Sequence, residues 1–216
     1  MPRFIQRLYP ERIWAFSRAK NSVYLTFDDG PIPEVTPWVL NELKKHQAKA
    51  TFFCIGNNIQ KHPEIFKSVI SEGHTVGNHT YNHLNGWKTK TSNYIENTEK
   101  ASKQMLETIK QINTKDQKSF GSELFRPPYG RITSKQANIL QKKGYKIVMW
   151  DIISFDYDAS ILKEKCLQNV LQNIKPGSIV VFHDSLKAEK NLKYTLPKTL
   201  RYISEKGWQC ASLGNI

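Results

Sequence analysis

The sequence is poor in cysteine. Cys54, Cys166 and Cys210 are its three cysteines in 216 residues, and no two of them form a CxxC pair. An odd number at wide spacing argues against a disulfide framework, and Cys54 and Cys166 lie in apolar or amphipathic runs that suit buried free thiols. The chain is nevertheless long enough to bury a substantial core in one domain without cross-links.

Long hydrophobic segments are also missing. No stretch approaches the roughly 20 apolar residues that a membrane-spanning helix needs. Residues 1–16 contain arginines but no uninterrupted apolar core, so we predict no secretory signal. From this we expect a cytoplasmic protein, or one of the cell envelope if an export segment is missing from the sequence.

Acidic residues are few: 19 stand against 32 basic ones, which gives a net charge of +13. This balance favours an anionic partner such as a polyanionic glycan, a membrane surface or nucleic acid. The lysines are scattered, however, so a solvated basic surface explains the composition as well. We expect no nucleic-acid partner and favour a monomer.

Apolar runs alternate with helical patterns along the chain. Strands are predicted at 23–27, 50–56, 74–77, 123–125, 145–150, 178–182 and 208–213, and helices at 35–47, 63–72, 92–112, 134–143, 160–174 and 192–206. Three of the helices close on a glycine directly before an apolar run. The pattern predicts an α/β fold with a parallel sheet, as a barrel or an open sheet. No glycine-rich phosphate loop follows the first strand, which weakens a nucleotide-binding interpretation.

Unusual polar residues follow the predicted strands. In either architecture the carboxyl ends of parallel strands meet at one face, where chemistry gathers. We therefore expect the following side chains to converge there: Asp28 and Asp29, His79 and His83, Arg126, Asp151 and Asp156, and His183 and Asp184.

His79 and His83 are spaced to share one side of a helical turn. With Asp29 they would make a divalent-metal site with one position left open for water or substrate. Two surface histidines in a polar loop are the alternative. Arg126 begins a segment, Arg-Pro-Pro-Tyr-Gly, whose prolines exclude a central strand and stiffen the loop.

His183 leaves a buried strand at the site face and is a candidate acid–base group. A structural histidine is the alternative. Both Asp156 and Asp184 are candidates for the carboxylate that orients its ring.

These segments together resemble the polysaccharide deacetylases of the NodB-homology group, carbohydrate esterase family four. The resemblance covers about residues 22–213 and rests on Thr-Phe-Asp-Asp-Gly at 26–30, His-Thr-Tyr-Asn-His at 79–83 and Arg-Pro-Pro-Tyr-Gly at 126–130. It implies a distorted (β/α) barrel of about seven parallel strands. The apolar residues among the basic ones at 1–20 predict an amphipathic lead-in that packs on a catalytic domain at 21–216.

The resemblance also implies the roles of individual residues. Asp28 would be the catalytic base, Arg126 its positioning partner, His183 the acid with Asp156 beside it, and the Tyr129 amide an oxyanion donor. Asp29, His79 and His83 would hold the metal, with zinc expected first and cobalt, nickel or manganese as alternatives. The implied substrate contacts are Tyr129, Pro128, Trp150, Tyr157 and Val181. Tyr157 and Val181 depart from the usual tryptophan and leucine, which alters the predicted acetyl pocket.

The implied activity is metal-dependent removal of N-acetyl groups from the amino sugars of a glycan such as peptidoglycan or a chitin-like oligomer. Two alternatives stay open at this point. Two histidines and a carboxylate also bind Fe(II) in non-haem oxygenases. A catalytically silent, basic glycan-binding protein would use the positive charge without turnover.

Overall fold

The computed structural model describes residues 3–112 and 123–214, so the polar loop expected at 113–122 lies outside the described residues. The helices are α1 Arg3–Leu8, α2 Thr36–Lys45, α3 Gly56–Lys61, α4 Pro63–Ser71, α5 Thr91–Ile109, α6 Ser134–Lys142, α7 Lys163–Leu171 and α8 Glu189–Glu205. The strands are β1 Ser22–Asp28, β2 Thr51–Cys54, β3 Thr75–Asn78, β4 Leu124–Phe125, β5 Lys146–Ile147, β6 Ile152–Ile153, β7 Ile179–His183 and β8 Gln209–Cys210.

The strands form one curled parallel sheet. Its order is β5-β4-β3-β2-β1-β7-β6, and β8 pairs with the first two residues of β1. All of these strand pairs are parallel. The distorted α/β barrel expected from the sequence is therefore confirmed, with β1 as an interior strand between β2 and β7.

Helix α1 and two further short elements, β6 and α3, were not predicted. Strand β6 is only two residues long and is defined by its pairing with Val180 and Val181 of β7, which no local pattern reveals. Helix α3 has the sequence Gly-Asn-Asn-Ile-Gln-Lys, in which Ile59 is the one buried apolar side chain. Because the predicted strand at 145–150 ends early, Asp151 precedes a strand and does not follow one.

Alternate residues of β1 face opposite sides of the sheet: one set packs under the helices and the other lines the concave face. Val23, Leu25 and Phe27 belong to the large core under the helices, together with Val180 and Phe182 of β7. The alternate residues Tyr24, Thr26 and Asp28 pair with Ile179, Val181 and His183 on the other face. The two-residue period of the strands therefore places Asp28 and His183 side by side on the concave face.

The segment before β1 contacts the chain next to two separate strands, β5 at one edge of the sheet and β7 on the far side of β1. Ile13 pairs with Val148 beyond β5, and Ala15 pairs with Ser178 at the start of β7. Trp14 between them is 6% exposed. These contacts agree with the expected packing of the lead-in, while the domain division at residue 20 stays a prediction.

Among the helices that the structure describes, none combines the length and the apolar character needed to cross a bilayer.

Truncation of the central aromatic of β1 should destabilise the whole fold. The Phe27 ring is fully buried and stacks between Phe52, at 5.0 Å, and Phe182, at 5.9 Å. We expect Phe27→Ala to lower the free energy of unfolding by about 3–5 kcal/mol, as measured by denaturant titration. The control is Leu162→Ala, whose side chain is 73% exposed, with an expected change within about 0.5 kcal/mol. Equal losses in the two variants would contradict this core assignment.

Candidate active site

The turn after β1 sends two adjacent carboxylates in different directions. Asp29 takes the left-handed conformation, with φ of 85°. Gly30 donates its N–H to Asp184 Oδ1 at 3.0 Å, and a Cβ on Gly30 would lie 1.9 Å from Asp184 Oδ2. Only glycine therefore allows Asp184 to hold this turn closed, and the turn separates Asp28 from Asp29.

Asp29, His79 and His83 form a cluster with one ligand atom from each residue, all within 4.8 Å of one another. Asp29 Oδ1 lies 3.2 Å from His83 Nε2 and 3.7 Å from His79 Nε2. That oxygen is buried and makes no hydrogen bond. A buried carboxylate oxygen facing two imidazole nitrogens fits a divalent cation, and three protein ligands leave a position open.

The protonation of the cluster also suits a metal. Burial lowers the pKa of His79 to about 4, so its imidazole is neutral near pH 7. Although burial opposes it, the nearby His83 and His183 imidazoles lower the pKa of Asp29. His79 Nδ1 lies 2.8 Å from the Arg126 carbonyl oxygen, which fixes the ring with Nε2 towards Asp29.

The two histidines meet in a loop and not on a helical turn, so that part of the prediction is wrong. Thr80 and His83 adopt positive φ angles of 62° and 55°. The Asn78 side chain accepts the Thr80 N–H at 2.8 Å and itself donates to the Thr98 carbonyl of α5. These positive-φ turns bring the His79 and His83 rings to 5.1 Å between centroids. The four-residue spacing of the two histidines in the sequence does not reveal this conformation.

Arg126 is completely buried beside Asp28. Its Nη1 donates to Asp28 Oδ1 and to Thr26 Oγ1, both at 2.7 Å. The guanidinium carbon lies 4.1 Å from the centroid of the Phe53 ring. The ion pair fixes Oδ1 of Asp28, and Oδ2 takes no part in it.

The ring of His183 is held by Asp156. Its Nδ1 lies 2.8 Å from Asp156 Oδ1, and the His183 backbone N–H donates to Asp156 Oδ2 at 2.9 Å. Burial lowers the pKa of His183, but the Asp156 carboxylate outweighs burial, and the pKa is raised to about 9. A proton on Nε2 is therefore available for donation near neutral pH.

Asp184 and Asp151 make hydrogen bonds that support the backbone elsewhere in the fold. Asp184 accepts from Gly30 N–H and from Thr36 Oγ1, at 3.0 and 2.6 Å, so it supports the turn after β1 and does not orient His183. Asp151 accepts from Ile179 N–H and Ser178 Oγ, at 2.8 and 2.9 Å. Because Ile179 begins β7, Asp151 lies at the opposite end of the sheet, and its predicted convergence with the site is wrong.

The Arg126 loop presents a backbone donor to the site. Tyr129 has φ of 60°, and its N–H donates to no acceptor among the residues that the structure describes. Its ring is 60% exposed and lies 4.5 Å from the His83 ring. The free amide and the nearby metal cluster agree with the predicted oxyanion donor, whose role stays a prediction.

The remaining predicted substrate contacts surround these groups. Trp150 lies against Gly130, where a Cβ would approach its ring to 2.6 Å, and Pro128 is buried in the same loop. Tyr157 packs edge-on against His183, with ring centroids 4.7 Å apart. Val181 is 1% exposed and precedes His183 on the same strand face, so it lies beneath the site.

Sequence reasoning missed two supporting residues. Thr26 accepts from Arg126 and donates to the Val180 carbonyl at 2.8 Å, so it links the guanidinium to β7. Asn58 donates to the Asp29 carbonyl at 2.8 Å from the unpredicted helix α3. Thr26 could have been predicted, because the two-residue period of β1 places it on the same face as Asp28.

The sequence matches known proteins along most of its length. The polysaccharide deacetylase family matches residues 17–148. A peptidoglycan-N-acetylglucosamine deacetylase of Bacillus cereus is 37% identical over 174 residues, which are 80% of this chain and 60% of that protein. A chitooligosaccharide deacetylase of Azorhizobium caulinodans is 35% identical over 76% of this chain and 74% of its own length.

A solved structure shares the fold. The crystal structure of a peptidoglycan N-acetylglucosamine deacetylase superposes with a TM-score of 0.85 at 30% sequence identity. The match covers 99% of this chain and 95% of that one.

Loss of one cluster residue should abolish tight metal binding. We expect His79→Ala to weaken Zn²⁺ binding at least about 100-fold in calorimetric titration, because one of three protein ligands is lost. His46→Ala is the matched control, since His46 is exposed and lies at the end of α2. Retention of wild-type Zn²⁺ affinity by His79→Ala would rule out this cluster as the site.

The His183–Asp156 pair should be visible in the pH titration of chelated protein. We expect the His183 imidazole to titrate at about 9 by NMR, and its pKa to fall in Asp156→Asn. Because the folded pKa lies above the ordinary 6.5, the stabilisation by this pair is complete below pH 6.5 and is lost as the pH rises through about 9.

An internal reference for that titration is His74. Burial lowers its pKa to about 4, and Asp156→Asn should leave it there. An unchanged His183 titration in the variant would contradict the role of Asp156.

Proposed function

Because the chain belongs to the polysaccharide deacetylase family, we propose that it hydrolyses the N-acetyl groups of amino sugars in a glycan. One observation carries this proposal: a three-ligand metal cluster lies at the same strand ends as an Asp28–Arg126 pair and a His183–Asp156 pair. Amide hydrolysis needs an activated water, a base and an acid, and this arrangement has a group for each.

Asp29, His79 and His83 are the residues that would hold the metal. A bound divalent cation supplies Lewis acidity and lowers the pKa of a water. The nitrogen and oxygen donors suit zinc, and cobalt, nickel and manganese accept the same set.

Asp28 is the proposed base. Arg126 Nη1 binds its Oδ1, so the carboxylate is held in one orientation with its second oxygen turned to the site. That oxygen takes the proton of the attacking water. The turn at Gly30 keeps this carboxylate apart from Asp29, so base and ligand act separately.

His183 is the proposed acid. The amine leaves poorly unless it is protonated as the carbon–nitrogen bond breaks. The imidazolium, held by Asp156 at Nδ1, gives its Nε2 proton to that nitrogen. The Tyr129 N–H donates to the oxygen on which negative charge develops, and its positive-φ turn fixes the direction of that donor.

The alternatives account for fewer residues. A non-haem iron oxygenase uses the metal cluster but gives no role to Asp28, Arg126 or His183. A silent binding protein needs no complete catalytic set. The relatives are named for peptidoglycan and for chitooligosaccharides, and both glycans are candidate substrates here.

Acetate release tests the proposal directly. We expect metal-loaded protein to release acetate from N-acetylglucosamine oligomers or from peptidoglycan, and chelated protein to release none. Asp28→Asn should lower kcat by about 10²–10⁴-fold, because the base is lost.

The Asp28→Asn variant should still bind Zn²⁺, since Asp28 is outside the cluster. Metal binding without acetate release from either glycan by wild-type protein would contradict the proposed activity. Iron-dependent oxygen consumption would replace it with the oxygenase.

A further inference from the structure

His83 lacks the side-chain support that His79 has. The His79 ring is held at its Nδ1, which lies 2.8 Å from the Arg126 carbonyl oxygen. Within the described parts of the chain, the His83 ring has one hydrogen-bond or ion-pair partner, Asp29 Oδ1, which lies 3.2 Å from its Nε2. A metal-binding histidine usually has a hydrogen-bond partner at its second ring nitrogen as well. The position of the His83 ring therefore depends on the backbone that carries it.

The backbone between the two histidines is irregular and is held by neighbouring elements. His79 still belongs to the sheet, since its N–H donates to the last carbonyl of β2 at 3.0 Å. Beyond it, the first two amides of α3 donate to the carbonyls of Thr80 and Tyr81, both at 3.0 Å. His83 then follows with a positive φ of 55°. A residue other than glycine keeps such a conformation only where the surrounding structure holds it.

One side chain of α5 holds the chain directly before His83. Asn97 Oδ1 accepts the N–H of Tyr81 at 2.9 Å and the N–H of Asn82 at 3.0 Å. The Tyr81 amide has a second acceptor, the Asn97 carbonyl at 3.2 Å, whereas the Asn82 amide has Oδ1 alone among the described residues. The amide after His83 turns back to the loop itself, to Thr80 Oγ1 at 3.1 Å. Asn97 therefore links α5 to the residue that precedes His83.

We infer that Asn97 is a positioning residue of the metal site, and that its side-chain oxygen sets the place of His83 by holding the Tyr81 and Asn82 amides. This inference rests on the metal site of the proposed function. Within the residues that the structure describes, the Asn97 side chain bonds to these two amides and to none of the proposed ligands. It therefore acts through the backbone and not as a ligand.

Two substitutions separate these hydrogen bonds from the rest of the fold. Asn97→Ala removes the acceptor, whereas Asn97→Asp keeps an oxygen in the same place. Because Asn82 is exposed, water can take over its amide, and we expect Asn97→Ala to fold. The matched controls are Asn93→Ala and Asn93→Asp, one helical turn earlier on α5, where the exposed side chain accepts from Ser92 Oγ. These controls make the same changes of size and charge away from the loop.

Calorimetric titration with Zn²⁺ is the first measurement. We expect Asn97→Ala to bind Zn²⁺ about tenfold more weakly than wild type, as loss of a hydrogen bond that supports a metal ligand usually does. Asn97→Asp should bind within about threefold of wild type, because it restores the acceptor. Both Asn93 variants should bind like wild type.

Imidazole NMR of the chelated protein is the second measurement, and it depends neither on bound metal nor on turnover. We expect Asn97→Ala to shift the ring resonances of His83, to change those of the adjacent His79 less, and to leave His74 unchanged. His79 is held by the sheet and by Arg126, and His74 Nδ1 accepts the Ala50 amide at 3.2 Å. A general loss of stability would not single out His83.

The outcomes separate this inference from the proposed function. Weaker Zn²⁺ binding by Asn97→Ala that Asn97→Asp restores, together with the shift at His83, supports the inference. Wild-type Zn²⁺ affinity in Asn97→Ala, an equal loss in Asn97→Asp or Asn93→Ala, or an unchanged His83 spectrum overturns it and leaves the proposed function standing. If wild-type protein binds no Zn²⁺, the proposed function fails, and this inference fails with it.

Discussion

A fully buried guanidinium organises the centre of this protein. The side chain of Arg126 donates to Asp28 and Thr26 of β1 and to the carbonyl oxygens of Val148 and Met149, so it joins β4 to the central strand and to the segment after β5. A buried charge without its partner costs about 3–5 kcal/mol. The Asp28 carboxylate therefore stabilises the fold through this pair as well as serving the proposed chemistry.

The site brings several carboxylates close together and gives each one its own partner. Adjacent ionised carboxylates repel one another, and here each has its own cationic or metal-ligating surroundings. Asp28 faces Arg126, while Asp29 faces the two histidines across the turn that Gly30 and Asp184 close. A third carboxylate, Asp156, holds His183 on the neighbouring strand. Sequence neighbours thus have separate surroundings, and the left-handed conformation of Asp29 accompanies this separation.

Sequence reasoning succeeded where local pattern and family motif coincide. The alternation of apolar runs and helices predicted the parallel sheet, and the motifs brought together Asp28 with Arg126 and Asp29 with the histidines. It failed where tertiary contacts decide the structure. Strand β6 exists through its pairing with β7, and the histidine loop depends on positive φ angles. Spacing alone left both Asp156 and Asp184 open as the partner of His183, and the family motif pointed to Asp156, which is the residue that contacts the ring.

The position of β1 between β2 and β7 also has a consequence for biosynthesis. Thr26 and its hydrogen-bond partner Val180 are 154 positions apart, so β1 gains its neighbour β7 only after a long stretch of further chain has been made. Pairings this distant in sequence form slowly and expose apolar strand surface in the interim. A nascent chain that stops before β7 carries the three proposed metal ligands but lacks His183, the proposed acid. The edge of β1 that pairs with β7 is then open.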